Sequence, residues 1–174
     1  MDNNILLIGS KSFKNRPSSI GGATVLFDQF LNHININKVK NITVVLLNPF
    51  ESSVKNFFSL FLKILSNIQI NKIIFINVSQ GGLKLLFPLI FFIAKLFNKK
   101  IVLRVYGSHA HNVIFQSIIK NILLFCFKRT DLVYLETNSL IARLKPYNSN
   151  IHWFPNVRIK NILNIEKKFN KRFV

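Results

Sequence analysis

The 174 residues of this 20.2 kDa chain suit one compact domain, and an apolar content of 49% is enough to bury a core, which excludes disorder of the whole chain. With 24 Lys and Arg against 6 Asp and Glu, the formal charge is +18, which predicts attraction to phosphate-bearing surfaces of any kind. Part of that charge reflects the joint richness in Lys, Asn, Ile and Phe that an AT-rich genome favours, and the single cysteine, Cys126, excludes an internal disulfide.

Taken in chain order, residues 4–9 form a short apolar run ending in glycine, the pattern of a strand buried on both faces. The segment Pro17-Ser18-Ser19-Ile20-Gly21-Gly22-Ala23-Thr24 then turns into an amphipathic helix over 22–34. Two adjacent glycines let a ligand approach the main chain, and the following helix start offers unpaired N–H groups, so Gly21 and Gly22 form a candidate anion cradle. Tight strand-to-helix packing is the competing use of the same pair. Further on, 42–47 reads as a strand, 54–68 as a helix, 72–78 as a strand and 83–97 as a helix. Strand 101–106, helix 115–127, strand 131–136, short helix 139–144 and strand 151–154 complete the pattern.

Six mostly apolar strands alternating with helices predict an α/β, Rossmann-like, doubly wound parallel sheet with helices on both faces. Ligands of such sheets bind beyond the carboxyl ends of the strands, which directs attention to the loops 10–22, 48–53, 79–82, 107–112 and 137–138. The period is lost after Phe154-Pro155-Asn156, and 160–172 is basic and only weakly helical.

The first glycine turn has neither Gly-x-Gly-x-x-Gly spacing nor a Gly-Lys-Ser/Thr, so a dinucleotide fingerprint and a P-loop are both absent. Four segments in order resemble another family: Gly21-Gly22-Ala23-Thr24-Val25-Leu26-Phe27, Lys100-Ile101-Val102-Leu103-Arg104-Val105-Tyr106-Gly107, Asp131-Leu132-Val133-Tyr134-Leu135-Glu136-Thr137 and Trp153-Phe154-Pro155-Asn156-Val157-Arg158. Together they are similar to the N-terminal half of the two-domain GT-B glycosyltransferases, within glycosyltransferase family four. The resemblance implies an acceptor-binding domain over residues 1–158 and, in the basic tail 159–174, the start of a second domain that binds the donor. It also implies a nucleotide-sugar donor, a glycan or lipid-linked acceptor of surface polysaccharide assembly, no cofactor, and no transfer without the second domain, which a complementary chain could supply. On this reading Gly21 and Gly22 face the donor phosphates across the interdomain cleft. The acidic Glu-x7-Glu donor motif is absent, so the chain is expected to be half an enzyme.

In the 107–112 loop, His109 is the candidate catalytic residue, as general base or sugar-hydroxyl partner, and His111 is a candidate acceptor contact. Two histidines at i and i+2 lack a third ligand nearby, so no metal is expected. Arg104 on a buried strand needs a ligand or an ion-pair partner such as Asp131 or Glu136. Glu136 is a candidate for acceptor hydroxyls, while Thr137 or Asn138 would cap the next helix. Cys126 reads as a small buried hydrophobe, and His33 and His152 as surface residues.

The start Met1-Asp2-Asn3-Asn4 has no basic region or cleavage site, so a cytoplasmic setting is expected. The apolar stretch 83–97 is shorter than the roughly twenty residues of a spanning helix and carries Lys84, Pro88 and Lys95. Basic, aromatic-bearing helices at 55–63 and 120–129 suggest peripheral contact with an anionic membrane, on its inner face, as an alternative non-catalytic role. No recognised nucleic-acid motif accompanies the charge, so a nucleic-acid partner is not expected.

Overall fold

A computed structural model describes residues 4–11, 22–47 and 54–155. Its elements are β1 (Ile5–Ser10), α1 (Gly22–Ile36), β2 (Ile42–Leu47), α2 (Val54–Ile70), β3 (Ile73–Val78), α3 (Gln80–Leu96), β4 (Lys100–Val105), α4 (Ala110–Phe115), α5 (Lys120–Lys128), β5 (Leu132–Leu135), α6 (Asn138–Leu144) and β6 (Ile151–Trp153). The six strands form one sheet in the order β2-β1-β3-β4-β5-β6, every neighbouring pair parallel. This is the expected α/β, Rossmann-like architecture.

The two faces are covered unequally. Leu6, Ile8, Ile74, Ile76, Ile101, Leu103, Val133 and Leu135 point to one side, where they pack with apolar residues of α2 through α6 into the main core. The other side carries Leu7, Phe75 and Tyr106 against Leu26, Phe27, Phe30 and Ile34 of α1. The topology explains this division, because parallel crossovers are right-handed. The β1-to-β2 step runs one way across the sheet and every later step runs the other way, so α1 takes the face opposite to the remaining helices.

Local sequence sets each helix face. Along α1, Phe27, Phe30, Leu31 and Ile34 recur at i, i+3, i+4 and i+7, so one stripe meets the sheet. Gly9 fixes how closely α1 approaches. A Cβ there would lie 2.5 Å from the ring of Phe27, itself fully buried, so only glycine fits beneath it.

Two expectations change. The helix anticipated over 115–127 is two, α4 and α5, separated at Gln116–Ile119, where Ser117 Oγ accepts from Ile119 N at 3.4 Å and Ser117 O accepts from Lys120 N at 3.0 Å. The stretches 79–82 and 107–112 are only partly loops, since Gln80 already begins α3 and Ala110 begins α4. The expected tail 159–174, with its domain boundary at 158, lies outside the described residues.

Candidate functional site at the carboxyl edge of the sheet

The order of the strands reverses between β1 and β3, since β1 leads outward to β2 and β3 leads the other way to β4. Connections that depart in opposite directions leave a crevice above the carboxyl ends of those strands. The helix starts at Gly22, Gln80, Ala110 and Asn138 all stand along this edge. Gly22 is exposed at the first position of α1, while Gly21 and the preceding loop lie outside the described residues. A second glycine pair, Gly81-Gly82, occupies the first turn of α3 across the switch point. A Cβ on Gly81 would meet open space, and one on Gly82 would sit 3.1 Å from Val78, so backbone is accessible at the first and tightly packed at the second.

Arg104 lies in register with Asn77 of β3 and Tyr134 of β5, on the α1 face of the sheet. Its side chain is buried, with 3% of its surface exposed. Three rings surround the guanidinium carbon, Phe154 at 3.9 Å, Tyr106 at 4.7 Å and Phe30 at 5.4 Å from their centroids. Such rings favour a cation through their quadrupoles. They do not accept strong hydrogen bonds, and Nε and Nη1 have no hydrogen-bond partner among the described residues. Burial lowers the affinity of Arg104 for its proton, and the nearby Tyr106 and Glu136 oppose that effect. Of the two acids considered as partners, Glu136 is therefore the one whose charge reaches Arg104. Asp131 instead pairs with Lys95 at 2.8 Å and accepts from Ile101 N at 2.8 Å, at the other end of the sheet. Burial disfavours the Asp131 carboxylate, but these contacts outweigh it and hold its pKa below the ordinary value.

Glu136 is positioned by both neighbouring strands. Its Oε2 accepts from Gly107 N at 2.9 Å, and its backbone carbonyl accepts from the indole of Trp153 at 3.1 Å. Its Oε1 is buried with no hydrogen-bond partner among the described residues. The contact with Gly107 depends on a backbone conformation that side chains disfavour, because Gly107 has φ +97°. Tyr106 Oη donates to Asn77 Oδ1, and Asn77 Nδ2 donates to Ile8 O, each at 3.4 Å, so polar groups span β4, β3 and β1 beneath the crevice. Burial, foremost, pushes the Tyr106 phenol up to about 12, with Arg104 opposing the shift and Glu136 adding to it.

His109 is exposed at the N-cap of α4, its Nδ1 3.5 Å from Ser108 Oγ. His111 lies within α4, where it stacks on Phe115 with centroids 4.5 Å apart, and its Nδ1 is buried with no hydrogen-bond partner among the described residues. The two rings thus occupy different surroundings: one is free to meet a ligand, the other is packed. Thr137 caps α6, its Oγ1 accepting from Leu140 N at 3.3 Å. Among the described residues no group of three His, Cys, Asp or Glu side chains is placed to hold a metal ion.

The structure thus gathers Arg104 and Glu136 beside Gly107 and sets His109 one turn away on the same edge. It adds Phe30, Asn77, Tyr106, Phe154 and Trp153, which sequence reasoning did not single out as site residues. Tyr106, two residues on from Arg104, shares the α1 face with it by strand alternation, a signal the sequence does contain. Phe30 comes from a helix on a distant segment, which nothing local reveals.

No protein-family model matches the chain, and no curated protein matches it. Among solved structures it is similar to Anabaena Alr3699/HepE in complex with UDP and glucose, at 14% identity and a TM-score of 0.55 over 98% of this chain and 50% of that one. The same protein in complex with UDP-glucose gives 14% identity and a TM-score of 0.55 over 97% of this chain and 49% of the other. The chain therefore spans about half the length of the solved structures it matches, and what it shares with them is the fold.

Proposed function

We propose that this chain is the acceptor-binding, N-terminal-type half of a GT-B glycosyltransferase of family four. Completed by a donor-binding domain, on the same or a complementary chain, it transfers a sugar from a nucleotide-sugar donor to a glycan or lipid-linked acceptor in surface polysaccharide assembly. Alone it is inactive. The observation that carries the reading is the cluster of Arg104, Glu136 and Gly107 after β4 and β5, on the carboxyl edge at which α/β sheets bind ligands. The likeness to HepE, a protein crystallised with UDP-glucose, supports the donor class.

On this reading Gly21 and Gly22 offer backbone N–H groups to the donor diphosphate, with the N-terminus of α1 behind them. Glu136, oriented by Gly107 N, accepts from acceptor hydroxyls through Oε1, while Arg104 and His111 shape the acceptor wall. His109, exposed on the same edge, is the base for the attacking hydroxyl. Titration calorimetry of the chain with UDP-glucose tests the division of labour. Dissociation constants in the millimolar range, roughly 4 kcal/mol of binding, are expected of one wall of a cleft. Micromolar binding would show that the chain holds a complete donor site.

A second reading, a non-catalytic membrane-surface or subunit-binding module with the same fold, is favoured by a row of exposed apolar side chains on α3 and α5.

A further inference from the structure

The inner stripe of α3, formed by Leu83, Phe87, Ile90, Phe91 and Ala94, is buried against the sheet. Its outer side is apolar too. Leu85, Leu89, Phe92 and Leu96 recur at i, i+4, i+7 and i+11 and all face solvent, Leu85 at 80% and Leu96 at 78% exposure. Ile122 and Phe125 of α5 extend this row sideways, and Phe125 stacks on Phe92 with centroids 6.1 Å apart and planes at 21°. Because α3 rises about 1.5 Å per residue, the row runs for roughly 16 Å along the helix. Contiguous exposed apolar surface of this kind marks an interaction site.

Its surroundings select the occupant. Lys84 and Lys95 lie on α3, and Lys120, Lys128 and Arg129 lie at the two ends of α5, with no acidic residue in either helix. Arg129 rests 4.0 Å from the centroid of Phe125, which places a cation at the margin of the apolar row. Asp131, which follows α5, is already engaged by Lys95 at 2.8 Å. A second copy of a chain with charge +18 would bring like charge against like. An anionic lipid surface satisfies both features, taking the apolar side chains below its headgroups and the long cationic stems beside them.

We propose that α3 and α5 form a docking surface for an anionic lipid bilayer, laid on the membrane through Leu85, Leu89, Phe92, Leu96, Ile122 and Phe125. Among the described residues no helix is long and apolar enough to cross a membrane, and this contact is made on its surface. The α3 start at Gln80 lies at the carboxyl edge, so a docked chain holds the candidate site beside the lipid while the α1 face stays in water. The inference deepens the lipid-linked branch of the proposed acceptor and rests on that reading for its purpose. Its test uses lipid alone, so sugar transfer can fail without affecting it.

The test is co-sedimentation of the full chain with phosphatidylcholine vesicles and with vesicles containing about 30% phosphatidylglycerol, at about 0.1 M salt. Binding is expected to the anionic vesicles only. The pair Leu85→Ser and Leu96→Ser, chosen because neither side chain enters the core, is expected to weaken it at least about tenfold at unchanged charge. Lys120→Glu with Lys128→Glu should weaken it comparably, whereas Lys38→Glu with Lys40→Glu, the same charge change off this surface, should cost less than about twofold. Wild-type binding by the serine pair, or equal losses from the two charge pairs, would overturn the proposal. A dimer that the serine pair dissociates, without any effect on lipid binding, would overturn it in favour of a second copy.

Discussion

Glu136 Oε2 accepts a 2.9 Å hydrogen bond from the backbone N–H of Gly107, which ties the end of β5 to the turn that leaves β4. That bond sets one carboxylate oxygen and leaves the other, Oε1, buried with no hydrogen-bond partner among the described residues, while the charge reaches Arg104. Replacing Glu136 by Ala removes both the acceptor and the charge. A loss of about 1–2 kcal/mol in urea unfolding is expected, against a smaller loss for Glu136→Gln, whose amide oxygen still accepts. Because Trp153 bonds the backbone carbonyl of Glu136, its near-ultraviolet dichroism should persist in both variants. Equal stability of Glu136→Ala and wild type would show that the contact carries no weight.

Gly107→Ala tests the backbone side of the same contact. At φ +97° a Cβ is strained whatever space surrounds it, so a cost of about 1–2 kcal/mol is expected by thermal or urea unfolding. The space itself is ordinary, since the nearest atom to that Cβ is Gln80 Nε2 at 3.4 Å. Gln80→Ala should therefore fail to rescue the variant.

Gly9→Ala acts by crowding. The added methyl would meet the Phe27 ring at 2.5 Å in the core between α1 and the sheet, with an expected cost of about 1–3 kcal/mol. Phe27→Leu in the Gly9→Ala background should recover part of it, and a double-mutant cycle measures the coupling. Strictly additive losses would contradict the packing argument.

Cys126 is fully buried, and burial pushes its thiol up to about 11 from 9.0. An aromatic disulfide reagent at about pH 8 should modify it only after unfolding, because access and thiolate are both lacking in the fold. The linkage has a fixed sign. Below pH 9.0 the thiol is protonated in both states and its contribution is intact, whereas between 9.0 and about 11 the unfolded chain ionises first and that contribution is lost. Cys126→Ala should show a flatter fall in stability across that window, and rapid labelling of the native chain would contradict the assignment.

The sheet was legible because its central strands are largely buried, so Ile73–Val78 is apolar but for Asn77, and Lys100–Val105 is apolar but for Lys100 and Arg104. The break between α4 and α5 was not, since nothing apolar stops at Gln116–Ile119 and the chain turns there by hydrogen bonds of Ser117. Arg104 was visible as a charge in an apolar strand, and Glu136 as one of its two acidic candidates. Choosing between them required the tertiary arrangement, which sends Asp131 to Lys95. The enclosure of Arg104 adds Phe30 of α1 and Phe154, which follows β6, to the sequence-near Tyr106, and only the strand order brings those two segments together. Gly81-Gly82 gave a visible sequence signal but read as a loop, because a helix that begins on two glycines has little propensity of its own.

The most direct measurement is an amide-resolved nuclear magnetic resonance titration of the chain with UDP-glucose. Weak, fast-exchanging shifts are expected, with a dissociation constant on the order of millimolar, concentrated at Gly22 and Gly81 on the carboxyl edge. Shifts centred on the opposite edge of the sheet, or no shifts at saturating ligand, would contradict it.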